Sequence, residues 1–299
     1  MKTLFITLCT VIFVNIPAQE IKNYTLRTKA NVFEVNVLSS NILIEGYDGN
    51  EIQVKEIVEN TDTKNQGFYL DTKDHKDSIL LFYNSKSSKE KEKRRKGLKP
   101  LKKDSDFNNQ TILKEEGKKA VLTNTSSNEK NFYQTMFIDL KKSRFEIKVP
   151  NTMKIVVKKN KNVSPFILGK DTLFKIKNFK GEIELTSLNQ DIILENISNS
   201  TLVNTLLGDI EARFNRLKKD AVVSLISTNG FVDVSIPSKE NITFDLESLS
   251  GEILTNLDLT AKDEQNIKMM PQKYKADYNG GGKIIQLKTT AGDIYIRRE

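Results

Sequence analysis

Cysteine is almost absent from this chain: the single copy, Cys9, lies in an apolar stretch at the N-terminus. If that stretch is removed on export, the remaining chain has no thiol, and disulfide frameworks, thiolate nucleophiles and cysteine metal sites are excluded. Histidine is as scarce. His75 is the only one, and it sits in the polar turn Asp71-Thr72-Lys73-Asp74-His75-Lys76-Asp77, where a solvated loop histidine is the ordinary case. Metal centres of His and Cys, and Ser-His-Asp or Cys-His arrangements, have no material to be built from. After the N-terminus no apolar run approaches the length that spans a bilayer. Gly280-Gly281-Gly282-Lys283 lacks the following Ser or Thr and the spacing of a phosphate-binding loop, and reads as an entry into a strand. Helical periodicity is nearly missing as well; residues 213–220 have room for one turn.

The first eighteen residues have the order of a secretory signal: Lys2, an apolar segment from Leu4 to Val14, then Asn15-Ile16-Pro17-Ala18 with a small residue at the cleavage position. The expected organisation is a signal peptide at 1–18 and one domain at 19–299. With 37% apolar residues, stability must come from burial in a thin, repetitive core.

Charge is equally uneven. The chain carries 47 Lys and Arg against 39 Asp and Glu, a net +8. Between Lys86 and Lys103 stand ten Lys or Arg against Glu90 and Glu92, and 10 − 2 = +8, so everything else is close to neutral. The basic character belongs to one loop, 85–106, inside a polar insertion at about 60–131, and not to a folded face of the kind nucleic acid requires. Within that loop Lys91, Lys93, Arg94, Arg95 and Lys96 are the candidate contacts for a polyanion such as anionic lipid head groups or envelope polysaccharide; a solvated tether is the plainer reading.

What the chain does have is one phrase written repeatedly. Five copies run from Leu185, Val203, Leu225, Leu246 and Leu287. Each opens with an apolar residue and carries Ser or Thr two places on (Ser187, Thr205, Ser227, Ser248, Thr289). Gly or Gln follows at the sixth place (Gln190, Gly208, Gly230, Gly251, Gly292), then usually an acid, then Ile or Val. Looser copies span Val35–Ile44 and Ile176–Leu185. Starts are separated by 9, 18, 22, 21 and 41 residues, so the last gap approaches two repeats. Self-similarity at such a period marks a stacked architecture. Apolar residues two places before each start (Ile183, Val223, Phe244, Ile285, with Thr201 the exception) alternate with polar ones in strand fashion. A rung of about twenty residues cannot bury its inner face alone; stacked at about 4.8 Å, rungs bury one another's Leu, Ile and Val. The fold class expected is all-β: a single-domain β-solenoid with a polar basic loop insertion. Gly is expected to supply positive φ at the corners, and the Ser/Thr column a hydroxyl ladder. Upstream, Tyr47-Asp48-Gly49-Asn50 is a turn, short strands are expected at Phe68–Leu70, Ile79–Tyr83, Thr111–Leu113 and Ala120–Thr123, and a strand from Phe145 ends at Pro150.

The entry Val35 to Asn50, the strand Glu146-Ile147-Lys148-Val149-Pro150 and the serial Ser/Thr…Gly-Asp-Ile repeats ending at Thr289–Arg297 resemble the putative-adhesin family. The resemblance covers about residues 30 to 299. It implies an exported bacterial β-solenoid of unknown function, without catalytic residues to carry over. The departures are the Lys/Arg-rich loop and Gln190 and Phe231, which stand where Gly and an acid are expected.

The acids after the corners form the remaining candidate chemistry. Glu182, Asp191, Asp209, Glu252 and Asp293 recur at one rung position and read mainly as solvated corner residues. Stacked, they are also a candidate weak cation site, calcium preferring several oxygen ligands, and, less so, the acid and base of a polysaccharide-cleaving enzyme. A calcium site predicts a melting temperature raised by millimolar calcium and insensitive to it in Asp209→Asn. The reading favoured is a non-enzymatic binding or structural module without cofactor, exported to the periplasm or surface of a Gram-negative bacterium, meeting an envelope protein or glycan rather than nucleic acid and not spanning the membrane. A polysaccharide-active β-helix enzyme and a partner or sensor in an envelope regulatory system are the alternatives. The end of the sequence at Arg297-Arg298-Glu299, just after the last repeat, favours the periplasm, and its charges are expected to guard an open sheet edge.

Overall fold

Alternation of buried and half-exposed residues along nearly every strand builds two long facing sheets whose inner sides share one core. The computed structural model describes residues 19–36, 41–59, 68–74, 77–85, 112–116, 119–123, 143–158, 173–262 and 271–299. The expected signal at 1–18, His75 and the basic-loop cluster Lys91, Lys93, Arg94, Arg95 and Lys96 lie outside the described residues. Among those residues there are 23 strands and no helix; the helical turn for which residues 213–220 have room is not formed, since 213–214 end a strand and the rest is a connection with a turn at 219–220. No helix among the described residues is long and apolar enough to cross a membrane.

Numbered in chain order, the first sheet runs β1 (Gln19–Leu26), β4 (Ile52–Glu59), β9 (Ser143–Pro150), β3 (Asn41–Tyr47), β11 (Leu173–Lys177), β13 (Asp191–Ile197), β15 (Ile210–Phe214), β17 (Val232–Ile236), β23 (Ile294–Arg298), β19 (Ile253–Thr255). The second runs β5 (Phe68–Asp74), β6 (Ser78–Ser85), β2 (Val32–Asn36), β10 (Lys154–Val157), β12 (Ile183–Thr186), β14 (Thr201–Thr205), β16 (Val223–Ser227), β22 (Lys283–Thr289), β18 (Ile242–Ser248), β21 (Gln272–Tyr278), β20 (Thr260–Ala261). A separate pair joins β7 (Ile112–Glu116) to β8 (Lys119–Thr123). The middle of both sheets is parallel, and the chain passes from one sheet to the other and back at each rung. Antiparallel strands stand at the ends: β1 on β4, β5 on β6, and β21 between β18 and β20. These end strands close the stack, as terminal elements of a repeat array must.

Register follows the sequence phrase. In the second sheet Leu81, Val35, Val157, Leu185, Val203, Leu225, Leu287 and Leu246 form one inward column. In the first, Phe145, Ile42, Phe174, Ile192, Ile210, Val232, Ile294 and Ile253 form another. Most of these side chains are fully buried, each stabilising by about 1.5–3 kcal/mol relative to exposure. Thr201, the polar exception, is also fully buried, and its hydroxyl donates to Asn199 O at 2.9 Å.

Four expectations change. First, rungs do not stack in chain order: β22 lies between β16 and β18, so Leu287 pairs with both Leu225 and Leu246. The long last gap therefore holds an outward excursion through β19–β21 before the chain returns to insert a rung. Second, the turn expected at Asp48–Gly49 is present, but of the two kinds that this dipeptide allows, hairpin or tight turn, the hairpin is not formed, because β9 inserts between β3 and β4, parallel to one and antiparallel to the other. Third, the copy Ile176–Leu185 is out of phase: Ile176 aligns with Leu194, on the first sheet, and the phrase turns the opposite corner. Fourth, β23 is an interior strand flanked by β17 and β19, so its terminal charges guard no edge; the three-residue β19 stands there instead.

Candidate functional site

The corner leading from the second sheet to the first holds the Ser/Thr, Gly and acid columns. A methyl group built on Gly208 would strike Gln190 O; on Gly230, Gly208 O; on Gly292, Gly230 O; and on Gly251, Gly292 O. Glycine is required here by the close approach of successive rungs and not by positive φ, which among the described residues is confined to Asn178, Asn196, Asn279, Gly280 and Gly281. The expected hydroxyl ladder is a relay between hydroxyl and backbone. Ser227 Oγ donates to Gly208 O at 2.8 Å and accepts Gly230 N–H at 2.9 Å. Ser248 Oγ donates to Gly292 O at 3.1 Å and accepts Gly251 N–H at 2.9 Å. Thr289 instead donates within its own corner, to Gly292 O at 2.6 Å. Each buried hydroxyl thus finds backbone partners, as burial demands.

The acids are tied to the same corner. Asp191 Oδ1 accepts the N–H of Asp209 at 3.0 Å, Asp209 Oδ1 that of Phe231 at 3.0 Å, and Asp293 Oδ1 that of Glu252 at 2.8 Å. Burial pushes the Asp209 carboxyl above its ordinary value, the Phe231 N–H works against that, and the Asp191 charge adds to it. Phe231 breaks the column, and its ring meets Tyr295 edge-on with centroids 6.1 Å apart. Glu182 does not join the others. It lies in the turn between β11 and β12, at the opposite corner, where its carbonyl accepts Ile155 N–H at 2.9 Å. Among the described residues no group of three or more His, Cys, Asp or Glu is placed to hold a metal ion.

The opposite corner, from the first sheet to the second, carries a site that the sequence phrase does not advertise. Asn215 Nδ2 donates to Asn196 Oδ1 at 2.6 Å, Asn196 Nδ2 to Asn178 Oδ1 at 2.8 Å, and Asn178 Nδ2 to Glu45 Oε1 at 3.2 Å. The signal was present as Asn recurring 18 and 19 residues apart, the period of one rung. Asn178 and Asn196 adopt φ of 55° and 58°, conformations that Asn tolerates better than other side chains, and Asn196 sits at a register shift of β13 against β15. Beside this row Asn151 Nδ2 donates to Asp48 Oδ1 at 2.7 Å and Lys180 Nζ reaches Asp48 Oδ2 at 3.2 Å. These two contacts, the Asn151 amide first, hold the Asp48 carboxyl below its ordinary range. Burial pulls Glu45 upward, but hydrogen bonds from Asn178 and Lys177 outweigh it and leave that carboxyl lowered too. The three amides of the row, Asp48, Asn151 and Lys180, with Tyr47 and Ser198, line a recess of about 300 Å³. An amide offers two N–H groups and an oxygen; the row uses one N–H from each Asn, leaving the second for a ligand.

The family model described as Toastrack DUF4097 matches residues 173–297, the span of the regular rungs. No curated protein matches the chain. Solved structures that resemble it include a "putative cell adhesion protein" from Clostridium sporogenes, 14% identical, covering 95% of this chain and 100% of that one with a TM-score of 0.43. A "putative adhesin" from Bacteroides fragilis is 12% identical, with coverage of 95% and 99% and a TM-score of 0.32. A "putative lipid binding protein" from Parabacteroides distasonis is 10% identical, with coverage of 94% and 96% and a TM-score of 0.27. Superpositions this loose leave the fold to be read from the chain's own strand register.

Proposed function

We propose that the chain, whose residues 173–297 match the Toastrack DUF4097 family model, is an exported, non-enzymatic β-solenoid of the cell envelope that binds a hydroxyl-rich partner, a glycan, along its asparagine corner. The observation that carries this reading is the amide row Asn215–Asn196–Asn178 flanking the recess with Asp48, Asn151 and Lys180. Sugar hydroxyls both donate and accept, and a line of amides at rung spacing meets them with weak contacts that add along a chain. Three carboxylates of the acid column (Asp191, Asp209, Asp293) have an oxygen engaged by backbone N–H groups, which suits structure better than general acid–base work. Export to the periplasm or surface is supported by the order of residues 1–18.

Binding of the mature protein to immobilised envelope polysaccharides tests the reading. Asn215→Ala and Asp48→Asn are both exposed changes; each should weaken retention several-fold while the melting transition stays put. Retention unaffected by both variants would remove the corner as the site. Release of reducing ends from the same polysaccharides would replace a binding module with an enzyme.

A further inference from the structure

We propose that the loop from β15 to β16 and the neighbouring outer face of the second sheet form a docking surface for an anionic lipid bilayer. Two observations meet there. Next to the asparagine corner, Ser198, Arg216, Leu217, Lys218, Lys219 and Lys283 line an open recess of about 510 Å³ with four cations and no carboxylate in its wall. Lys218 Nζ donates to Lys180 O at 3.1 Å and Lys283 pairs with Glu240, whereas Arg216 and Lys219 make no ion pair among the described residues. Asp220, exposed, is the one acid within that loop and is not part of the recess wall.

The second observation is apolar. Leu202, Val222 and Ile284 point outward from or beside three adjacent strands, β14, β16 and β22, and are 44%, 48% and 54% exposed. Val222 stands beside Ile284, because Val223 pairs with Ile285 one residue on. Leu202 lies one pleat away, opposite Ser224. Exposed aliphatic side chains scattered singly need no explanation, but three on one face, bordered by a recess of cations, form an amphipathic surface. A bilayer bearing phosphate head groups offers both halves of the complement: negative charge for Arg216 and Lys219, and an acyl boundary for Val222 and Ile284. A soluble anion satisfies only the first half. This surface is distinct from the amide row and does not depend on the glycan reading.

Sedimentation of the mature protein with vesicles of phosphatidylglycerol and phosphatidylcholine, against vesicles of phosphatidylcholine alone, tests the proposal at low and high salt. Binding should require phosphatidylglycerol and weaken with salt. Losing two cations in Arg216→Gln/Lys219→Gln should reduce it roughly thirtyfold, and Val222→Ser/Ile284→Ser should reduce it as well. A third variant lacking residues 86–103 locates the contact. If that deletion abolishes binding and Arg216→Gln/Lys219→Gln does not weaken it, the surface is wrong. If pyrophosphate competes fully and Val222→Ser/Ile284→Ser binds as before, the site takes soluble anions and the bilayer proposal falls. Circular-dichroism melting of each variant separates lost binding from lost fold.

Discussion

Asp209 reaches along the stack to Phe231: its Oδ1 accepts the Phe231 backbone N–H at 3.0 Å, one rung away. The contact makes the repeated acid a cap for the next rung. It favours the charged carboxylate, but burial, with the neighbouring Asp191, outweighs it and favours the protonated form.

Asp209→Asn should therefore stabilise the protein at neutral pH. The folded-state pKa of Asp209 lies above its ordinary value, so as pH rises the unfolded chain loses its proton first, and the folded state loses relative stability through that window. Asn keeps an oxygen for the Phe231 N–H and removes the charge. Its advantage should be present at pH 7 and vanish once the pH falls below the ordinary carboxylate value. Asp209→Ala removes the acceptor and should cost about 1–2 kcal/mol. Chemical denaturation across pH reads both; an Asn variant less stable than the parent at pH 7 contradicts this account.

The glycines divide into two physical kinds. Gly230 has the carbonyl of Gly208 where its Cβ would go, whereas Gly280, at φ 81°, has nothing near it. Gly230→Ala should cost about 3 kcal/mol, because backbone on both rungs must give way. Gly280→Ala carries only the left-handed penalty of about 1–2 kcal/mol. Equal destabilisation of the two in urea titrations would mean that the corner stack relaxes freely.

Ser227 is fully buried and joins Gly208 O to Gly230 N. Ser227→Ala leaves two backbone groups without that partner and should cost about 2 kcal/mol. Ser227→Thr keeps the hydroxyl, as Thr205 does one rung earlier, and should be much milder. A difference below the error of urea titration would show that the hydroxyl column is dispensable.

The inward columns were legible because burial is periodic: Leu185, Val203 and Leu225 align as their spacing implies. The corner columns were legible as positions but not as chemistry. Nothing in a Gly-Asp dipeptide separates a glycine needed for positive φ from one needed for close approach, and only the register puts Gly208 O under Gly230. Glu182 was misplaced because Gly-Glu-Ile at 181–183 copies the phrase while turning the other corner. The amide row is not marked by the phrase, because Asn178, Asn196 and Asn215 lie outside its five regular copies, each at or just past the end of a first-sheet strand. Rung order was not readable at all. The inward column that holds Leu225, Leu246 and Leu287 is apolar throughout, so Leu287 satisfies Leu225 and Leu246 equally well, and the placement depends on which excursion the connecting residues permit.

That placement has its own consequence. Leu287 is fully buried with Leu225 on one side and Leu246 on the other, while Leu246 faces Leu287 and Tyr274. Leu287→Ala should cost about 3–5 kcal/mol, toward the upper range for a core leucine. In native-state hydrogen exchange it should lower protection of the amides in both β16 and β18. Leu246→Ala should loosen β18, β21 and β22 and leave β16 protected. Were the rungs stacked in chain order, Leu246 would rest directly on Leu225, and it is Leu246→Ala that would loosen β16. Exchange measured at Val223–Ser227 in the two variants decides between the arrangements.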